Sequence, residues 1–242
     1  MLKHTSNIAL IPAYNPDSIM LNIVRDLKNN GYTVVLVNDG SDTRFNKLFL
    51  AAGRADIILR HDRNKGKGAA LKTGLRWIYQ NYSAPYTVVT VDADGQHLIA
   101  DTCRVTDAAR RHPSTLIIGS RRLKQNAPFR SKSGNFITRI FLHALTPVSI
   151  YDTQSGLRSF THDLIPLLTE IEGERYEYEM RMLIDVNRRG IPIKEIPIEA
   201  VYIGSNNTSH FRMVCDSARL YKVIFANADR KRDPQQSHDN HL

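Results

Sequence analysis

Residues 87–97 read TVVTVDADGQH: five residues of strand-forming character, then two carboxylates one residue apart, a glycine and an amide. Val and Thr branch at Cβ and favour extended backbone, whereas Asp and Gly are turn formers. The stretch reads as a buried strand that stops in a polar loop. The pattern repeats around it. Apolar runs at 8–11, 33–37, 57–59 and 116–118 read as further strands, and two of the earlier ones also end in polar loops, PAYNP (12–16) and NDGSD (38–42). Helical patterns lie between them at about 18–29, 44–52, 68–82 and 100–111. Ser18 is expected to cap the first helix and Gly31 to end it. Alternating strands and helices predict an α/β fold with a mostly parallel central sheet flanked by helices. Ligands bind beyond the carboxyl ends of strands in such sheets, so three polar strand ends imply one shared site.

The second half has a different texture. Residues 121–132, RRLKQNAPFRSK, form a basic loop, followed by an amphipathic helix at 136–145, FITRIFLHAL, that Pro147 stops. A helix at 174–189 and an edge strand at 192–203, tolerant of Pro197, come next. A last helix is expected at 213–228, ahead of a polar tail at 229–242 read as disordered. The expected organisation is one domain over 1–228, with a nucleotide-binding half to about 120 and an acceptor-binding half from about 121.

The 242 residues are 42% hydrophobic and 24% charged, as in an ordinary globular protein, which excludes a collagen-like, disordered or disulfide-stapled chain. Two cysteines, Cys103 and Cys215, fit a reducing compartment and exclude a Cys-based zinc site. No apolar run is long enough to cross a bilayer, and Pro12 comes too early for a signal-peptide core. The net charge of +9 suits anionic partners without choosing among nucleotides, lipid headgroups and nucleic acid.

Asp92 and Asp94, with Gln96, can offer hard oxygen ligands to one divalent cation, Mg²⁺ or Mn²⁺, whose shell water and substrate phosphates would complete. A solvated turn is the alternative, and the position behind a buried strand favours the ligand reading. Asp39 could accept a hydrogen bond from a nucleobase imide, or cap the following helix, which Ser41 or Asp42 would do equally well. The turn NKGKGA (64–69) opens a helix with backbone N–H groups and two lysines suited to a phosphate. It lacks the GxxxxGK[ST] spacing of a P-loop, and no GxGxxG follows the first strand.

Together, IPAYNP, VNDGSD, NKGKGAALKTG, DADGQH, GSRR, PFRSKSGN, DTQSGLR, RYEYEM and NNTSHFR, in order across 8–225, resemble family 2 glycosyltransferases of GT-A fold. The resemblance is to the branch of dolichyl-phosphate mannose synthase and bacterial polyprenyl-phosphate glycosyltransferases. It implies that Asp92, Asp94 and Gln96 hold the metal on the diphosphate of a sugar nucleotide, with Asp94 catalytic. It implies that Pro12, Ala13, Tyr14, Asn15, Asp39, Lys67 and Ala93 line the donor pocket; the family often has Glu where this chain has Pro16. Arg121 and Arg130 match arginines that grip a lipid phosphate, and Ser209, His210 and Arg212 match a loop closing over the diphosphate. The implied reaction is a single inverting displacement in which a polyprenyl phosphate oxygen attacks the anomeric carbon. Asp152 is the best candidate should a base be used, and Glu177 and Glu179 are read as positioning residues.

A polyprenyl tail stays in the bilayer. The resemblance therefore implies a peripheral enzyme at the cytoplasmic face of the membrane, alone or with a membrane partner subunit, since the chain stops short of the spanning helices of many relatives. Transfer to a glycan or another lipid is the nearby alternative, and a non-catalytic membrane-binding module the distant one. Nucleic acid is not expected as a partner, because only Phe129 and Phe136 interleave with the basic residues.

Overall fold

Each apolar run read as a strand is one in the computed structural model, which describes residues 6–121, 150–199 and 201. In chain order the strands are β1 (Ser6–Ala13), β2 (Thr33–Asn38), β3 (Ile57–Arg60), β4 (Tyr86–Thr90), β5 (Leu116–Arg121), β6 (Arg158–Thr161) and β7 (Ile193–Ile198). The α-helices are α1 (Ile19–Asn29), α2 (Asn46–Ala51), α3 (Lys67–Asn81), α4 (Ile99–Arg111), α5 (Ile165–Glu170) and α6 (Glu177–Arg188). They cover a single seven-stranded sheet of order β3-β2-β1-β4-β6-β5-β7.

Alternation along each strand divides the core in two. Ile8 and Leu10 of β1, with Val35, Val37 and Val88, pack under α3, α5 and α6. Ala9 and Ile11, with Val34, Leu36 and Val89, pack under α1, α2 and α4. Both faces are covered, which is why these strands read as continuous apolar runs. Among the described residues no helix is long and apolar enough to cross a membrane.

Two helix ends show how local chemistry sets the boundaries. The Gly31 N–H donates to Lys28 O and the Tyr32 N–H to Leu27 O, with Gly31 at φ +78°, so glycine ends α1 as expected. The expected Ser18 cap is not made. Asp17 Oδ1 accepts instead from the Ser18 hydroxyl and the Ile19 N–H. Asp42, not Asp39, caps the next helical turn by accepting from the Arg44 N–H.

The strand that the sequence pattern does not reveal is β6. It runs antiparallel between β4 and β5, while the other pairings are parallel. Its four residues, RSFT, are buried, and three of them are polar or charged. Ser159 satisfies its hydroxyl on Val88 O at 2.8 Å, so a polar residue costs little in that position. The reversed direction brings the loop leading into β6 to the edge where β4 and β5 end. β7 lies at the sheet margin beside β5, with Pro197 in register with Ser120, as expected of a proline in an edge strand.

Phe160 is the fully buried apolar side chain of β6. Phe160→Ala should lower unfolding free energy by about 3–5 kcal/mol in urea titrations; a loss below about 1 kcal/mol would show that β6 contributes little to the core.

Candidate active site

The carboxyl ends of β1, β2, β4 and β5 and the entry to β6 meet at one edge of the sheet. The first two are stapled together: the Asn15 N–H donates to Ser41 Oγ at 2.9 Å and the Asp42 N–H to Asn15 Oδ1 at 3.0 Å. The Asp39 N–H donates to Ala13 O. Tyr14 is exposed at this edge, Pro12 and Asn15 are half-buried, and Ala13 is buried.

Asp39 is itself buried. Its Oδ1 accepts from the Lys65 N–H at 2.9 Å and contacts His61 Nδ1 at 2.6 Å; its Oδ2 accepts from the Gly66 N–H at 2.8 Å. His61 Nε2 lies 3.0 Å from Thr73 Oγ1 on α3. This arrangement narrows the phosphate reading of the basic turn at 64–69. The amides of Lys65 and Gly66 serve Asp39, and that of Ala69 donates to Glu174 O. A Cβ at Gly66 would come within 2.4 Å of Glu174 O, so the turn is sealed by the 174–175 segment.

What the turn does present is the Lys67 side chain. Its Nζ stands 2.7 Å from Asp92 Oδ1 and 2.9 Å from Glu179 Oε2, the latter on α6. Against the cost of burial, these two carboxylates hold the ammonium above its usual pKa. Burial also opposes charge on Asp92, yet Lys67 and His97 hold it well below the usual carboxylate range. His97 Nε2 is 3.5 Å from Asp92 Oδ2, too long for a good hydrogen bond.

Asp94 behaves oppositely: burial, then the like charge of Asp92, pushes its carboxyl up. Its Oδ1 accepts from the Gln96 N–H at 3.1 Å, which keeps Asp94 and Gln96 in one turn, with Ala93 half-buried beside them. Among the described residues no three His, Cys, Asp or Glu side chains form a ready-made metal cage. Two carboxylates and an amide oxygen nevertheless make a hard donor set, and a divalent cation would relieve the repulsion raising Asp94; the residues fit Mg²⁺ or Mn²⁺.

Glu177, two residues before the Lys67 partner, ties down the segment ahead of its own helix: its Oε1 accepts from the Glu174 and Arg175 N–H groups. Of the two glutamates read as positioning residues, Glu179 reaches the site.

A second ion pair has one fully buried partner. Asp152, 0% exposed, accepts from Arg121 Nε at 2.7 Å, Arg121 Nη2 at 3.3 Å, and the Arg121 and Gln154 backbone N–H groups at 3.1 Å. Burial works against the Arg121 charge, and Asp152 more than restores it. Glu195 of β7 fixes the loop from behind by accepting from the Tyr151 and Asp152 N–H groups.

Arg158 ties this loop to α6. Fully buried, it donates to Ser155 O, Glu179 O and Thr153 O. The loop passes so close to the cation site that a Cβ at Gly156 would lie 2.3 Å from Asp92 Oδ2. His61, Arg158, Gly156 and Glu195 were not singled out from the sequence; Arg158 and Gly156 stand within DTQSGLR, while His61 and Glu195 carry no local signal. Arg130, Ser209, His210 and Arg212 lie outside the described residues, as do most of the basic loop and the helices expected at 136–145 and 213–228.

Known proteins place this geometry. The sequence profile described as "Glycosyl transferase family 2" matches residues 8–165. The UDP-N-acetylglucosamine–dolichyl-phosphate N-acetylglucosaminyltransferase of Methanococcus voltae is 30% identical over 214 residues, 80% of this chain and 84% of that protein. The polyprenol monophosphomannose synthase of Mycolicibacterium smegmatis is 27% identical, covering 79% of this chain and 76% of that one. The crystal structure of glucosyl-3-phosphoglycerate synthase from Mycobacterium tuberculosis with Mn²⁺, uridine diphosphate and phosphoglyceric acid superposes with a TM-score of 0.70 at 17% identity, over 97% of this chain and 81% of that one.

Removing the cation between Asp92 and Glu179 tests the electrostatics directly. Lys67→Met leaves two carboxylates facing each other and should cost about 3 kcal/mol at pH 7 in EDTA. Asp92 then loses the charge that holds its carboxyl pKa down against burial, so the deficit should shrink as pH falls towards ~4.5, where a carboxylate takes a proton. A deficit that is the same at both pH values in urea titrations would rule this pairing out as the source.

Proposed function

The chain belongs to glycosyl transferase family 2, has the GT-A fold, and from that premise we propose that it moves a sugar from a nucleoside-diphosphate sugar to a polyprenyl phosphate. The observation that carries the proposal is the placement of two ion pairs, the half-buried Lys67–Asp92 and Arg121 on the buried Asp152, at one sheet edge. One pair suits a diphosphate with its cation; the other suits a phosphate that attacks.

On the donor side, Pro12, Ala13, Tyr14, Asn15 and Asp39 meet the nucleoside, and Asp92, Asp94 and Gln96 hold Mg²⁺ or Mn²⁺, with Ala93 beside the donor. The cation supplies Lewis-acid stabilisation of the leaving diphosphate when bound. Lys67, already positive within the site, adds fixed positive charge where negative charge develops.

On the acceptor side, two of the five N–H groups of the Arg121 guanidinium face Asp152, leaving three for a phosphate oxygen. A phosphate monoester has its second pKa near ~6 and is largely dianionic at pH 7. The nucleophile needs little help from a base. Asp152, whose carboxylate oxygens accept from Arg121 and Gln154, orients Arg121 and remains the base candidate only for an acceptor that must lose a proton. Arg130 extends the phosphate grip, and Ser209, His210 and Arg212 close over the diphosphate. Two relatives whose names specify dolichyl phosphate or a polyprenol support this acceptor over a glycan. A polyprenyl acceptor places the enzyme at the cytoplasmic face of the membrane, peripherally or through a membrane partner.

Purified protein with Mn²⁺, a panel of nucleotide sugars and a short polyprenyl phosphate in detergent should release nucleoside diphosphate. Release should require one donor and the lipid phosphate, and fall at least ~100-fold in Asp94→Asn, since this removes a charged ligand of the cation that would stabilise the leaving group. Undiminished release with the lipid phosphate replaced by its unphosphorylated alcohol would overturn the acceptor assignment.

A further inference from the structure

His97 closes the loop that begins at Asp92, and the proposed chemistry gives it no task. Its side chain is 3% exposed, and among the described residues neither Nδ1 nor Nε2 has a hydrogen-bond partner. A buried imidazole left so carries the desolvation of a polar group without return. Buried polar groups are paired as a rule, and each exception asks for a reason. The reason here lies in what the ring faces. Its Nε2 is 3.5 Å from Asp92 Oδ2, the carboxylate at which its own loop starts. That gap exceeds a good hydrogen bond by about 0.5 Å, which a small side-chain rotation covers.

The two oxygens of Asp92 stand in different settings. Oδ1 is 2.7 Å from Lys67 Nζ, which Glu179 holds from its other side at 2.9 Å. Oδ2 faces His97 and the backbone of Gly156, where an added Cβ would come within 2.3 Å. Gly156 limits movement on that side, and His97 is the donor that can reach the oxygen. Within the loop, the Gln96 N–H donates to Asp94 Oδ1 at 3.1 Å. That bond sets Asp94 and Gln96 relative to each other and does nothing for Asp92. A bond from His97 to Asp92 joins the third oxygen donor to the same frame.

Groups behind the ligands of a metal orient those ligands and tune their basicity. We infer that His97 is a positioning residue of the cation site: its Nε2–H donates to Asp92 Oδ2 and fixes the carboxylate whose other oxygen Lys67 holds. The inference rests on the reading of Asp92, Asp94 and Gln96 as cation ligands. It adds to them a residue that acts through Asp92 and touches no reacting atom. The unpaired ring is then a cost to the fold that its role explains, and stability and cation affinity should respond to its removal in different directions.

The test compares variants of the full chain by Mn²⁺ titration, followed by electron paramagnetic resonance, and by thermal unfolding in EDTA. His97→Leu should weaken Mn²⁺ binding about 10–100-fold, the usual effect of losing a group behind a ligand. Its thermal transition in EDTA should be no lower than that of wild type, because an unpaired buried polar group has been removed. His97→Phe, a ring without a donor, should behave alike and keeps the test open if the leucine variant does not fold. His97→Gln, whose amide nitrogen lies near the place of Nε2, should restore most of the affinity. A folded leucine or phenylalanine variant with wild-type Mn²⁺ affinity overturns the inference, as does a glutamine variant that binds as weakly as they do. Strong nitrogen hyperfine coupling to Mn²⁺ in wild type, the mark of direct imidazole ligation, overturns it too. Asp94→Asn separates the two layers. If wild type takes up no Mn²⁺, or Asp94→Asn binds it as tightly, the cation site itself fails. If Asp94→Asn weakens binding and His97→Leu does not, the positioning role alone fails.

Discussion

Lys67 carries its ammonium between Asp92 and Glu179, and the rest of the site is arranged around the charge problem this solves. Asp39, Asp92, Asp94, Asp152 and Glu179 stand at one edge of the sheet, where burying an uncompensated carboxylate costs several kcal/mol. The fold compensates them with different partners. Asp39 takes two backbone N–H groups and a histidine, Asp92 takes Lys67, and Asp152 takes Arg121. Asp94 is left with a single backbone donor and the repulsion of its neighbour. The one poorly compensated carboxylate is the one best suited to attract an external cation.

Compensation by fixed groups also gives rigidity. The loop from Asp152 to Leu157 is held from behind by Glu195, from below by Arg158 and in front by Arg121. Arg158 has carbonyl oxygens as its hydrogen-bond partners, apart from a contact to Met182 Sδ, and burial pushes its pKa down. Its contribution is to bridge the loop carbonyls of Thr153 and Ser155 to that of Glu179 on α6. Preorganised donors and charges of this kind lose little in reorganisation when substrates arrive, which is where enzymes gain most of their electrostatic advantage.

The parts of the molecule that could be read in advance share a physical cause. β1, β2, β4 and β5 announce themselves because the sheet is covered on both faces there, so their side chains are mostly apolar whichever way they point. α1 was bounded correctly at Gly31 because a left-handed residue demands it. β6 was missed because burial of Arg158 and Ser159 depends on hydrogen bonds to Glu179 and Val88, residues distant in sequence. The basic turn at 64–69 is legible only in part for the same reason: three of its amides go to the buried carboxylate of Asp39 and the carbonyl of Glu174, both distant in sequence.

By itself, the sequence determined the α/β class, the parallel strands, the polar strand ends and the family, because these rest on periodicity, turn chemistry and motifs that are local in the chain. Only the tertiary structure decided which charges pair, that Glu179 reaches the site while Glu177 holds the segment ahead of its helix, and which backbone N–H groups Asp39 takes. Those outcomes depend on distances between segments that are brought together by the antiparallel insertion of β6 and the packing of α6 against α3. A chain written in one dimension encodes such distances only through the whole fold.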